Sequence, residues 1–159
     1  MGRYIRLLVL ISLASVAGAG VSYAQQPQSA SSSPLDYAFF KCQVEPIFAA
    51  PRPGHTRCIV CHSDFKAPGP HIEPPGPDGK WTEAQSRQNF EFASRRVVPG
   101  NPGRSRLLLH PLRSEGGGDR FHFGGKHWVS PNDREWQIIN AWVSGQKDCS
   151  WRPTIAQTN

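Results

Sequence analysis

Residues 58–62 read Cys-Ile-Val-Cys-His, and the chemistry of the chain is concentrated there. Two thiols one helical turn apart can reach the two vinyl groups of a haem, and the adjacent imidazole rises beneath the ring as an iron ligand. This is the spacing that covalent attachment of a c-type haem requires, with Cys58 and Cys61 as thioether donors and His62 as the proximal axial ligand. At this chain's Cys and His frequencies the pattern arises by accident in roughly a third of a per cent of chains of this length. Three plainer readings compete. A redox-active dithiol calls for a βαβ setting, whereas Cys58 lies in a Pro- and Gly-rich loop. A zinc site calls for a second ligand pair of similar spacing, which Cys42 and Cys149 are too far apart in sequence to supply. A disulfide inside the motif leaves His62 without a task.

The N-terminus points to the same compartment independently. Gly2 to Arg6 is short and basic, Leu7 to Val21 is apolar and small, and Ser22-Tyr23-Ala24 precedes a cleavage point ahead of Gln25. Residues 1–24 therefore read as a secretory signal peptide, the alternative being an uncleaved membrane anchor weakened by its Ala and Gly content. With no Cys near the cut, a lipoprotein anchor has no attachment point. The expected location is periplasmic or secreted, with membrane contact only if the segment is retained. There, the two remaining cysteines, Cys42 and Cys149, read better as one disulfide than as two free thiols. Neither belongs to a second C-x-x-C-H, so one haem is expected.

The elements that must position these groups follow from the punctuation. The chain has 159 residues, 38% apolar and 19% charged, with 15 Gly and 15 Pro. That excludes a large barrel or dinucleotide-binding enzyme and leaves one small domain with long loops. Residues 25–33 form a flexible Gln-, Ser- and Pro-containing leader; 34–150 form the domain, and 151–159 a tail. Ser33 and Pro34 start a helix over 34–45 whose stripe is Leu35, Ala38, Phe39 and Cys42, with Pro46 ending or kinking it. One helical turn is expected at 58–62 within a loop spanning 50–79. Thr82-Glu83-Ala84-Gln85 is a capping box opening a helix to about Arg96. Asn101-Pro102 opens a short helix through Leu107 to Leu109, and Ser130 to Asp133 open the last, with Ile138, Ile139, Trp142 and Val143 on one face. No segment reads as a strand, so the fold class is all-α. The net charge of +6 falls to +4 once Arg3 and Arg6 are removed, and its scatter speaks against nucleic-acid binding.

A helix, then C-x-x-C-H, a variable middle and a capped aromatic last helix resemble the small single-haem cytochrome c fold. More narrowly, Val44-Glu45-Pro46-Ile47-Phe48, residues 58–62, Pro99-Gly100-Asn101-Pro102 with Ser105 and Leu107-Leu108, and Trp136 to Trp142 look like planctomycete-type bacterial cytochrome c domains. The similarity covers most of residues 35–145. It implies an all-α, cytochrome c-like domain around one covalently bound haem, with its first and last helices packed together, carrying one electron between redox protein partners. The chain departs from the pattern at the distal ligand. Its only Met is Met1, so a Met/His iron is excluded and the candidates are His55, His71, His110, His122 and His127. In the relatives the ligand precedes the last helix cap by about eight residues, which points to His122, with His127 and His110 as alternatives. His55 lies too near the motif to reach the opposite face, and His71 reads as solvated. Phe39, Phe48, Leu108, Ile138 and Trp142 are candidate pocket walls.

Two other classes of function share these residues. A haem enzyme or gas-binding sensor would use an open or displaceable distal site, with His122 or His127 as a weak ligand or acid-base group. A structural module would carry the haem for stability alone and offer Trp81, Trp128 and Trp151 to a partner. Bis-His ligation favours electron transfer, because two strong ligands close the iron to substrates.

Overall fold

The computed structural model describes residues 35–63 and 71–154. The signal segment, the leader, the expected cap Ser33 and the last five residues lie outside the described residues. Among the described residues the regular structure is helical, with only isolated bridges at Arg52–His55 and Leu112–Trp128. None of the described helices is long and apolar enough to cross a membrane.

The first helix differs from its expected bounds. α1 (Tyr37–Phe39) runs through a π-helical turn (Phe40–Val44) into α2 (Glu45–Ala49). Asp36 is the cap, its carboxylate accepting the Phe39 amide at 2.7 Å. Pro46 does not end the helix. It has no N–H to give and its ring would meet the carbonyl four residues back, but the wider turn before it carries the chain past. Pro46 then occupies the first turn of α2, where a missing donor is tolerated. The extra residue also rotates the buried face: Phe39, Phe40, Val44, Ile47 and Phe48 are buried, whereas Ala38 and Cys42, expected on that stripe, are exposed.

α3 (Cys58–His62) and α4 (Glu83–Ser94) follow, the latter opened by the full capping box of Thr82 and Gln85. The next expected helix is divided in two, a 3-10 turn at Pro102–Arg104 and α5 (Arg106–Leu109). Buried Ser105 makes the break: its hydroxyl accepts the Val98 amide at 2.9 Å and donates to the Asn101 carbonyl at 2.9 Å. Gly100, at φ +73°, turns its amide onto the Val143 carbonyl at 2.7 Å and so ties this turn to the last helix.

α6 (Arg134–Val143) crosses the first helix. Trp142 packs against Phe40 with ring centroids 5.4 Å apart, and its indole N–H donates to the Asp36 carbonyl at 2.9 Å. Cys42 and Cys149 are joined at 2.06 Å, fixing the segment after α6 to the first helix. The expected tail is not free at its start, since Trp151 lies 6.3 Å from Phe39 and Pro153 is buried. The three tryptophans weighed as a partner surface all make contacts within the chain. Trp128 is buried and bonded to Glu135, Trp81 is half-buried and bonded to the Glu73 carbonyl, and Trp151 packs on the core.

Candidate functional site

α3 places the motif at the edge of the core. Ile59 is buried and anchors the turn, which leaves Val60 and Cys61 outward and Cys58 half-buried. Both thiols are free. Burial pushes the Cys58 thiol up from its ordinary value, opposed by the Arg52 guanidinium beside it.

Behind α3 lies a cleft of about 450 Å³ lined by Cys58 and His62. Its walls are apolar: Phe48, Ile72, Phe92, Leu107 and Pro111. Of the expected walls only Phe48 lines it; Phe39, Leu108, Ile138 and Trp142 are core residues behind. Ile72 and Phe92 were not foreseen. Ile72 follows a Pro-rich run without periodicity, and Phe92 lies in α4, whose few apolar residues mark no clear stripe.

The His62 imidazole faces His122 across the cleft, with ring centroids 6.2 Å apart and planes 19° from parallel. Metal–imidazole bonds of about 2 Å on each side, plus the ring radii, account for a separation of this order. Burial, reinforced by His122 and Arg96, pushes His62 below its ordinary value, which favours the neutral ring that a metal requires.

The hydrogen bonds separate the candidate ligands. His122 Nδ1 lies 2.6 Å from the Gly125 carbonyl. A carbonyl only accepts, so Nδ1 carries the proton and Nε2 is the nitrogen left to offer a metal. Gly125, at φ +86°, closes the short loop that brings this carbonyl back. His110 also lines the cleft, 6.5 Å from His122. Its Nε2 is already taken, accepting from Arg106 at 2.8 Å, while Nδ1 lies beside the Asp119 carboxylate without a hydrogen bond. His127 lies 5.7 Å from His122 but lines a second cavity, with His55 5.3 Å away. Burial, then the charge of Arg52 and the neighbouring imidazoles, pushes it down to about 4. His55 thus joins the histidine cluster, although on the second cavity. His71 is not solvated as expected; it is half-buried, 2.9 Å from Glu73.

Among the described residues, three arginines, Arg95, Arg96 and Arg106, line the cleft and no carboxylate does. Arg96 stacks 3.6 Å over the Phe92 ring and donates to the Phe92 carbonyl at 2.7 Å. Burial, with Arg106 and Arg95 nearby, lowers the pKa of Arg96. Among the described residues no group of three or more His, Cys, Asp or Glu side chains could hold a metal ion by itself.

The chain matches no protein-family model, no curated protein and no solved structure. Its functional reading therefore rests on the motif and on this cleft.

Proposed function

We propose that this chain is an extracytoplasmic c-type cytochrome that binds one haem covalently and carries one electron between redox protein partners. The observation that carries the proposal is the cleft itself, where the attachment motif opens onto an apolar gap spanned by two facing imidazoles. Two facing imidazoles suit an iron whose other four ligands come from a macrocycle.

Each residue has a distinct part. Cys58 and Cys61 would hold the haem through thioether bonds, and His62 and His122 would offer imidazole nitrogens to its iron. Bound there, the haem supplies a one-electron iron couple. The Gly125 carbonyl fixes the His122 tautomer and ring orientation, as outer partners of metal-bound imidazoles do. Phe48, Ile72, Phe92 and Leu107 exclude water and lower the local dielectric. Arg95, Arg96 and Arg106 would meet the haem carboxylates, giving these three guanidiniums a counter-charge. With no Met available, two imidazoles place the reduction potential below that of Met/His cytochromes. With both imidazoles committed to the iron, the chain would serve as a carrier rather than an enzyme. The signal segment and the Cys42–Cys149 bond both suit a compartment outside the cytoplasm.

Covalent attachment tests this directly. Protein matured in the periplasm should keep haem through denaturing electrophoresis, and Cys58→Ala with Cys61→Ala should lose all of it. Colourless native protein, or haem extracted by denaturation alone, would defeat the proposal.

A further inference from the structure

Three polar side chains are almost fully buried away from the cleft: Glu45 in α2, and Ser86 and Asn89 in α4, at 2%, 1% and 0% exposure. Buried polar groups cost free energy unless satisfied, and a small core would accept apolar residues in their place. These three are fully engaged. Ser86 donates to one Glu45 carboxylate oxygen at 2.8 Å, and the Asn89 amide donates to the other at 2.8 Å.

Asn89 also grips the main chain of Glu73 on both sides. Its carbonyl oxygen accepts the Glu73 amide at 2.6 Å, and its amide donates to the Glu73 carbonyl at 3.1 Å. Trp81 donates to the same carbonyl at 2.7 Å. A carboxamide offers donor and acceptor side by side, which neither an ionised carboxylate nor leucine does. One residue earlier, the Ile72 amide donates to the His62 carbonyl at 2.8 Å while the Ile72 side chain lines the cleft. The bonded path therefore runs from Glu45 through Asn89 and the 72–73 main chain to His62.

We infer that Asn89, braced by Glu45, is a positioning residue for His62, holding segment 72–73 so that the Ile72 amide and side chain fix the end of α3 beside the cleft. This rests on the haem reading of the site. Asn89 does not line the cleft, so its effect passes through Ile72. Outer partners that orient a metal's imidazole tune the metal without touching it.

The test uses the matured holoprotein and compares Asn89→Leu with Val143→Ala, a buried substitution on α6 away from this path. Asn89→Leu should shift the midpoint potential and broaden the low-spin EPR signal, while Val143→Ala lowers the melting temperature and leaves both at wild-type values. An Asn89→Leu protein with unchanged potential and EPR signal overturns the inference. Should Asn89→Leu not fold, amide exchange in the wild type decides. Ile72 and Glu73 amides as protected as those of α4 support the clamp, and exchange at open-loop rates overturns it. A wild-type protein without low-spin haem overturns the haem reading and the role of Asn89 with it; that failure appears in the unmutated protein and is thereby distinguished.

Discussion

The frame of α1, α2 and α6 and the cleft beside α3 use similar residues in opposite ways. In the frame, Phe39, Phe40, Val44 and Trp142 pack against one another to zero exposure, and the Trp142 N–H is satisfied by the Asp36 carbonyl. In the cleft, Phe48, Ile72 and Phe92 are backed by that core yet line a gap, with two imidazoles facing across it and three guanidiniums along it. The frame is complete as a protein structure. The cleft is lined by side chains suited to a flat, apolar, anionic metal complex, and on the proposed reading the haem completes it.

The comparison can be broken first on the frame side. Removing the Cys42–Cys149 bond by Cys42→Ser with Cys149→Ser releases a constraint spanning 107 residues of sequence. We expect a loss of about 2–5 kcal/mol, read by thermal or urea unfolding, with the haem spectrum of the folded protein unchanged. A changed spectrum at full folding would mean that frame and cleft are not separable. Ser105→Ala acts where the two regions join, because it removes the buried hydroxyl that accepts the Val98 amide and donates to the Asn101 carbonyl. A loss of about 0.5–1.5 kcal/mol is expected by the same assay.

The smallest effect concerns Glu45. Burial raises its carboxyl above the ordinary 4.5, against the pull of its bonds to Asn89 and Ser86. The folded chain thus takes up a proton while the unfolded carboxyl is still ionised, so this group opposes folding at neutral pH and less so as pH falls. Lowering the pH from neutrality towards 4.5 should therefore stabilise the wild type relative to Glu45→Gln. A constant difference between the two unfolding curves across that range would contradict the assignment.

Legibility in the sequence followed the range of the forces. The capping box at Thr82 and Gln85, the helical turn at Cys58–His62 and the face of α6 are set by neighbours within a turn or two, and each was readable. The pairing of Cys42 with Cys149 was readable by elimination. The π-helical turn was not, because Pro46 signals that a regular helix cannot continue without saying how the chain accommodates it. Nor was the Ile72 wall, which owes its place to Asn89 gripping the next residue's main chain from 16 positions away. His122 could be reached by counting back along a resemblance. What separates it from His110, whose Nε2 already accepts from Arg106, appears only in three dimensions.

The central claim is that His62 and His122 together close one haem iron, and absorption of the reduced protein with and without carbon monoxide tests it most directly. The account predicts a low-spin c-type spectrum that carbon monoxide leaves unchanged in the wild type, and a carbon monoxide-sensitive one in His122→Ala. A wild-type spectrum that responds to carbon monoxide, or a His122→Ala spectrum that does not, would contradict it.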